Sequence, residues 1–269
     1  MEIVMVQKII FTDLDGSLLD EKTYSFDRAK PALRLINESH IPLILCSSKT
    51  RREIELYRQR LNNTDPFVSE NGGGIFIPEG YFALETSGES VDHYRVVSHG
   101  TAYAVLRKAF VALREKLGTA VRGFGDMSVA EVSVLTGLPL EEAALAKMRE
   151  FDEPFVFHGD PDEEFLGAIK RAGFCWTTGR LHHIMGRNDK GQAVNILIKL
   201  YEKKYGRLVT MGLGDSLNDL PMLQAVDQPA LIRREDGSFD GLVNIPGLVK
   251  TSGRGSAGWG EAVSRFLKS

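Results

Sequence analysis

The fold of this 269-residue chain is decided by the stretch Lys8-Ile9-Ile10-Phe11-Thr12-Asp13-Leu14-Asp15-Gly16-Ser17. Its apolar first half, with β-branched residues, is typical of a buried strand in a parallel sheet. Extended backbone points Asp13 and Asp15 to the same side, and Gly16 permits a sharp turn beside them. Two like charges this close repel unless a cation neutralises them, which favours a divalent-metal site. An ordinary Asp-rich turn is the alternative, and the rest of the chain decides between the two.

The composition is that of an ordinary globular protein, with 43% hydrophobic and 26% charged residues. The net charge of -3 gives no electrostatic signature of a nucleic-acid or membrane-surface partner, and we expect neither. No apolar stretch approaches the length of a membrane span, and no signal-peptide pattern is present. We therefore expect a soluble, cytoplasmic protein that is long enough for one domain with an insertion, or for two domains.

After the first strand, helices and strands alternate. Helices are predicted over residues 27–39 and 51–61, with an apolar strand over residues 41–46 between them. This order implies a parallel sheet with right-handed crossovers, that is, an α/β fold with a Rossmann-like core. An Asn-Gly pair between two apolar runs then predicts a β-hairpin, so Glu70 and Asn71 are interpreted mainly as turn residues.

The α/β pattern stops near residue 86 and resumes with a predicted helix over residues 190–205. Between them, the sequence predicts helices over residues 101–117, 138–150 and 160–172, and strands over residues 155–157, 174–178 and 182–185. We therefore predict a core of residues 1–86 and 187–269 and an inserted α+β unit of residues 87–186. The Gly/Ser-rich residues 251–260 are predicted to form a mobile loop.

Further polar clusters lie where predicted strands end or a helix begins. Ser47 follows the second strand, Gly214-Asp215-Ser216-Leu217-Asn218-Asp219 follows a strand over residues 208–212, and Lys190 begins a helix. Ligands of open parallel sheets bind at the carboxyl ends of the strands, so these clusters should meet there. A cation in a first helical turn opposes the helix dipole at a cost of up to about 1 kcal/mol, so Lys190 should face anionic groups.

Several carboxylates are expected at this sheet edge, more than helix capping requires. They belong to Asp13, Asp15, Asp215 and Asp219. Oxygen ligands suit a hard cation such as Mg²⁺ better than zinc. Adjacent residues on a strand point to opposite faces, so His182 and His183 could not easily serve one metal together.

In order along the chain, Asp13-x-Asp15-Gly16, Ser47, Lys190 and Gly214-Asp215-x-x-Asn218-Asp219 match the four motifs of the haloacid dehalogenase-like phosphatases. The insertion between the second motif and Lys190 resembles the α/β cap of Cof-type sugar phosphatases. Residues 46–50, 70–73, 149–155 and 214–219 further resemble the family of mannosyl-3-phosphoglycerate phosphatases. A proline expected near Gly258-Trp259 in that family is absent.

The resemblance implies a mechanism. Asp13 would be the nucleophile that forms an aspartyl-phosphate, and Asp15 the general acid and base. Mg²⁺ would be held by Asp13, the backbone carbonyl of Asp15 and Asp215. Asp219 would orient Lys190 or help to hold the metal. Ser47 and Lys190 would bind the phosphoryl oxygens.

The resemblance also implies where substrate binds. The core would contribute Ser48, Lys49 and Asn218. The substrate carries a carboxylate besides its phosphate, so a cap arginine is expected. Arg180 is the first choice, followed by His182 and then Arg149, for which a structural salt bridge is the favoured interpretation.

The implied reaction is Mg²⁺-dependent hydrolysis of mannosyl-3-phosphoglycerate to phosphate and mannosylglycerate, a compatible solute. Alternatives within the superfamily are phosphatases of glucosyl-3-phosphoglycerate, a hexose phosphate or sucrose phosphate, and a phosphomannomutase. Outside enzymes, the chain could be a phospho-sugar-binding sensor. A binder has little need for all four motifs together, and this favours the enzyme.

Overall fold

The computed structural model describes residues 6–82 and 88–268. Strands are β1 (Gln7–Thr12), β2 (Leu43–Cys46), β3 (Phe67–Ser69), β4 (Gly74–Pro78), β5 (Glu89–Val91), β6 (Tyr94–Ser98), β7 (Val121–Gly123), β8 (Asp152–Phe157), β9 (Cys175–Thr178), β10 (His182–Met185), β11 (Leu208–Gly214), β12 (Gln228–Arg233) and β13 (Val249–Arg254). Helices are α1 (Lys30–Glu38), α2 (Arg51–Leu61), α3 (Tyr103–Leu117), α4 (Val129–Thr136), α5 (Leu140–Ala146), α6 (Glu163–Arg171), α7 (Lys190–Tyr205), α8 (Leu220–Gln224) and α9 (Gly255–Lys268). None of these described helices is long and apolar enough to cross a membrane.

Two sheets organise the described residues. The larger one has nine strands in the order β13-β12-β11-β1-β2-β3-β4-β6-β5, and the smaller has the order β7-β8-β10-β9. In the larger sheet, β1 lies at the centre of a parallel block and pairs with β2 and β11. The predicted α/β fold is thereby confirmed.

The central position of β1 explains the apolar residues in its middle, Ile9 to Phe11. Ile10 packs on one face of the sheet with α1, α2 and α9. Ile9 and Phe11 pack on the opposite face with α7 and α8. Since both faces are covered by helices, the middle of the strand is apolar on both sides, and the first carboxylate comes just after the strand, at Asp13.

The second sheet is antiparallel, and α3 and α6 pack against it. The predicted boundary between residues 86 and 87 lies outside the described residues. β5 and β6, placed in the insertion by the sequence, instead extend the large sheet through β4. We propose that the insertion is the unit of residues 101–186, called the cap below, and that the remaining residues form the core.

The prediction of a mobile loop over residues 251–260 was wrong. This segment forms most of β13 and the start of α9. A Cβ on Gly258 would lie 2.3 Å from the carbonyl oxygen of Gly253, so glycine here permits close backbone packing. Trp259 is fully buried, and its indole N–H donates to Thr12 Oγ1 at 2.8 Å. The terminal helix is therefore fixed beside β1, the strand that leads to Asp13.

Candidate active site

The carboxyl ends of β1 and β11 and the start of α7 bring three predicted site residues together. The Lys190 ammonium lies 2.7 Å from Asp13 Oδ1 and 2.6 Å from Asp219 Oδ1. Lys190 has no exposed surface, so these carboxylates replace water around its charge. The anionic partners predicted for this lysine are confirmed.

Asp219 also fixes the loop that carries Asp215. Its Oδ2 accepts hydrogen bonds from the backbone N–H groups of Asp215 and Ser216, at 3.0 and 3.2 Å. Both oxygens of Asp219 are thus engaged, one by Lys190 and one by the loop. This geometry fits the orienting role better than a metal-ligand role.

The site has the donor set of a hard-cation centre. One carboxylate oxygen from each of Asp13, Asp215 and Asp219 lies within 4.8 Å of the other two, and Asp13 and Asp215 are the two of these residues that remain as candidate ligands. Burial, reinforced by Asp219, raises the pKa of Asp13 to about 7 against the opposing effect of Lys190. Burial, followed by the charges of Asp219 and Asp13, also raises the pKa of Asp215 well above its usual range. Oxygen donors that are buried and mutually repelling fit a divalent cation such as Mg²⁺.

Gly16 lets Asp215 approach the end of β1. Its φ is +75°, and a Cβ at this position would lie 2.8 Å from Asp215 Oδ2. A larger residue would therefore strain the backbone and displace the carboxylate. Both the positive φ and the close approach of Asp215 therefore require glycine at position 16.

Asp15 pairs with Lys49, whereas Lys190 pairs with Asp13 and Asp219. The Lys49 ammonium lies 3.0 Å from Asp15 Oδ2 and 3.4 Å from Glu53 Oε1. Burial alone would lower the pKa of Lys49, but the two carboxylates raise it above its ordinary value. Lys49 therefore stays charged and holds the Asp15 carboxylate in place.

Ser47 and Ser48 follow β2 beside these groups. Ser47 is buried, and its hydroxyl accepts a hydrogen bond from the backbone N–H of Lys49 at 3.2 Å. The Ser48 carbonyl accepts from the Arg149 guanidinium at 2.9 Å, which joins the core to the cap.

A cavity of about 630 Å³ lies between this sheet edge and the cap. The core lines it with Asp13, Asp15, Ser48, Lys49, Asp215 and Asn218, and the cap lines it with Phe124, Leu138, Arg149, Arg180, Leu181 and His183, among others. Arg180 donates to the Tyr24 hydroxyl at 2.7 Å, a contact from cap to core. The cavity thus places acidic, cationic and apolar groups around one space.

The comparisons with known proteins agree with this geometry. The sequence pattern of the haloacid dehalogenase-like hydrolases matches residues 10–92. The glucosyl-3-phosphoglycerate/mannosyl-3-phosphoglycerate phosphatase of Methanococcoides burtonii is 45% identical over 266 residues, which cover 97% of this chain and 98% of that protein. The mannosyl-3-phosphoglycerate phosphatase of Pyrococcus horikoshii is 36% identical over 227 residues, which cover 84% and 90%. The chain belongs to this phosphatase family.

A solved structure from Streptococcus mutans UA159 supports the fold of this family member. It superposes with a TM-score of 0.70 at 17% identity and covers 98% of this chain and 100% of that one. At such low identity the likeness supports the fold alone. The family resemblance stated from the four motifs is confirmed by the two closely related sequences.

One predicted binding residue of this family member is placed outside the cavity. His182 packs against the rings of Phe155, Phe157 and Trp176, and burial lowers its pKa. Its neighbour His183 lines the cavity instead. This corrects the choice of His182, because alternation places the two side chains on opposite faces without saying which face borders the site.

Two further cavity residues were not anticipated. Arg234 lies directly after β12, with Nε 3.6 Å from Asp215 Oδ2, and the strand-end rule applied to β12 would have found it. Tyr24 adopts a φ of +55°, and its hydroxyl donates to the Thr136 carbonyl of the cap at 2.9 Å. No sequence signal marks Tyr24, because its role depends on where the cap lies.

Glu70 and Asn71 do more than form the predicted turn. Both have positive φ, as the hairpin requires, and both side chains are buried. The Glu70 carboxylate accepts hydrogen bonds from three consecutive backbone N–H groups of the cap, at residues 150–152, over 2.7–3.1 Å. The side-chain Oδ1 of Asn71 accepts a hydrogen bond from the side-chain amide of Asn218 at 3.1 Å. The hairpin tip therefore connects the cap to the loop of residues 214–219.

Replacing Glu70 with glutamine should lower the free energy of unfolding by about 2–3 kcal/mol, because a neutral amide accepts fewer and weaker hydrogen bonds from the three N–H groups. Urea unfolding measures this change. Glu38→Gln, at an exposed position of α1, is the control and should shift stability by less than about 0.5 kcal/mol. Equal stability of the two variants would show that the Glu70 carboxylate does not hold the cap segment.

Proposed function

We propose that this chain hydrolyses mannosyl-3-phosphoglycerate to inorganic phosphate and mannosylglycerate through an aspartyl-phosphate on Asp13. The observation that carries the proposal is that Asp13 lines a cavity between core and cap while the buried Lys190 contacts both Asp13 and Asp219. The names of the family relatives support the substrate. A protein that only bound phospho-sugars would not need a buried, oriented carboxylate here.

Asp13 would attack phosphorus in line, forming its O–P bond as the bond from phosphorus to the glycerate oxygen breaks. Lys190 contacts Oδ1 of Asp13, so Oδ2 would be the attacking oxygen. Asp15 would protonate the departing oxygen and later take a proton from the hydrolytic water. Lys49, 3.0 Å from Asp15, would keep that carboxylate directed at the reacting atoms.

Ser47 and Lys190 would bind the phosphoryl oxygens during transfer. Mg²⁺ bound by Asp13, the backbone carbonyl of Asp15 and Asp215 would supply positive charge that shields the attacking carboxylate from the phosphoryl group. Asp219 would act through Lys190 and the loop, since both its oxygens are already engaged.

The cap would recognise the part of the substrate remote from phosphorus. Arg180 lines the cavity, and its guanidinium suits the glycerate carboxylate. Arg149 is excluded from that role because its guanidinium already contacts Asp152, the Ser48 carbonyl and Glu70. The salt-bridge interpretation favoured for Arg149 from the sequence fits this geometry.

Glucosyl-3-phosphoglycerate is a second candidate substrate, because the Methanococcoides burtonii relative is named for both sugars. The two substrates share the phosphate and the carboxylate, so the core machinery and Arg180 would serve both.

Phosphate release in Mg²⁺ tests the proposal on mannosyl-3-phosphoglycerate, glucosyl-3-phosphoglycerate and mannose 6-phosphate, with EDTA as the metal-free control. We expect kcat/KM for the mannosyl substrate to exceed that for the hexose phosphate by roughly 30-fold or more, about 2 kcal/mol in transition-state binding. EDTA should abolish release. Comparable turnover of both glycosyl-phosphoglycerates would extend the substrate to both sugars. Turnover of the hexose phosphate alone would overturn the substrate assignment. Binding of these compounds without release of phosphate would overturn the proposal that the protein is an enzyme.

A further inference from the structure

His183 is a cavity residue to which the mechanism above gives no task. It lies on β10, is 6% exposed, and belongs to the cap wall of the cavity. Its Nδ1 lies 3.0 Å from Asp152 Oδ2. Nε2 is therefore the ring's remaining polar atom.

The surroundings of Asp152 decide which ring nitrogen carries the proton. Asp152 Oδ1 accepts from the Arg149 guanidinium, and Oδ2 accepts from the Asn71 amide at 3.1 Å. A carboxylate paired with a buried guanidinium stays ionised and only accepts hydrogen bonds. Nδ1 of His183 must then donate to it, and Nε2 is left as an acceptor.

The ring is also neutral. Burial, followed by the nearby charges of Arg149 and Lys190, lowers the pKa of His183 to about 3. A neutral imidazole with a free lone pair repels carboxylate and phosphate oxygens and binds hydroxyl donors. Its natural ligand in the cavity is therefore a hydroxyl group.

The chemistry of the proposed substrate identifies that hydroxyl. Glycerate has two hydroxyl groups, and in a glycosyl-3-phosphoglycerate one carries the phosphate and the other the sugar. Only the sugar ring then has free hydroxyls. We propose that His183 is a specificity-determining residue that accepts a hydrogen bond from a sugar hydroxyl through Nε2, an inference that rests on the proposed function. Asp152 and Asn71 position the ring for it.

The test compares His183→Asn with wild type. Asparagine can keep an amide N–H near the Nδ1 position for Asp152 but has no atom at the Nε2 position. We expect kcat/KM for mannosyl-3-phosphoglycerate to fall by roughly 10- to 100-fold. For p-nitrophenyl phosphate, which has no hydroxyl, it should change by less than about twofold. The adjacent His182→Asn, on the other face of β10, is the matched control and should leave the ratio of the two substrates unchanged.

Each outcome bears on one of the two proposals. Thermal unfolding first establishes that the variant is folded. If His183→Asn lowers kcat/KM equally for mannosyl-3-phosphoglycerate and p-nitrophenyl phosphate, or lowers it for neither, the proposed role of His183 is overturned. If wild type turns over mannose 6-phosphate but neither glycosyl-phosphoglycerate, the proposed function fails. The ratio of kcat/KM for mannose 6-phosphate to kcat/KM for p-nitrophenyl phosphate, compared between His183→Asn and wild type, then still tests whether His183 binds a sugar hydroxyl.

Discussion

Replacing Asp13 with asparagine should abolish phosphate release, with a fall in kcat of roughly 10⁴-fold or more, about 5.5 kcal/mol. The amide has no anionic oxygen to form the aspartyl-phosphate, and the remaining groups cannot replace a nucleophile. Steady-state phosphate release with Mg²⁺ measures the loss. The fold should persist, because Lys190 keeps Asp219 as its partner at 2.6 Å.

Asp15→Asn is the informative companion to Asp13→Asn. With p-nitrophenyl phosphate the leaving group needs no proton, so this variant should release close to one equivalent of p-nitrophenolate in a burst and then slow. Asp13→Asn should give no burst. A burst from Asp13→Asn, or normal turnover by it, would show that another group attacks phosphorus and that Asp13 has a different role.

The central site could be predicted because its signals are local. The apolar run of β1 identifies a strand buried on both faces, and Asp13 and Asp15 follow its last residue at the sheet edge. The strand ends before Asp13, so the two carboxylates are not placed by its alternation, and each has its own lysine partner. Ligands of open parallel sheets bind at the carboxyl ends of the strands, and this predicts that the loop after β11 and the start of α7 lie at the same sheet edge. The 2.7 Å contact between Lys190 and Asp13, which are 177 residues apart, follows from this topology.

The cap wall of the cavity could not be predicted in the same way. Whether His182 or His183 faces the site depends on how the cap lies over the core, and no local pattern encodes that. The function of Glu70 was hidden for a related reason. The sequence around Glu70 predicts only a turn. The partners of its carboxylate are the backbone N–H groups of residues 150–152, and because every residue except proline has such a group, the sequence does not reveal this contact.

Composition was misleading where glycine serves packing. Residues 251–260 resemble a flexible loop because glycine and serine are frequent there, yet Gly253 and Gly258 allow two backbone segments to approach closely. Trp259 was a sequence signal against a flexible loop, because large aromatic residues usually pack in fixed contacts. In the structure it is buried and donates a hydrogen bond to Thr12 of β1.

Lys190→Met should lower both stability and activity. Methionine fills a similar volume but leaves the carboxylates of Asp13 and Asp219 buried without a cation, which should cost about 3–5 kcal/mol of unfolding free energy in EDTA. The loss of a charge that binds the phosphoryl group should lower kcat by roughly 10³-fold. Lys199→Met, at an exposed position of the same helix, is the control and should change neither quantity appreciably.

The double variant Lys190→Met/Asp219→Asn separates the two effects. Removing one of the two unpaired carboxylates should restore much of the stability without restoring turnover, because only the charge imbalance is relieved. Mg²⁺ should raise the melting temperature of Lys190→Met more than that of wild type, since a cation bound at Asp13 and Asp215 supplies part of the missing positive charge. If Lys190→Met is as stable in EDTA as Lys199→Met, the two carboxylates do not depend on Lys190 for their charge balance. If Mg²⁺ stabilises neither protein, the acidic cluster is not a metal site.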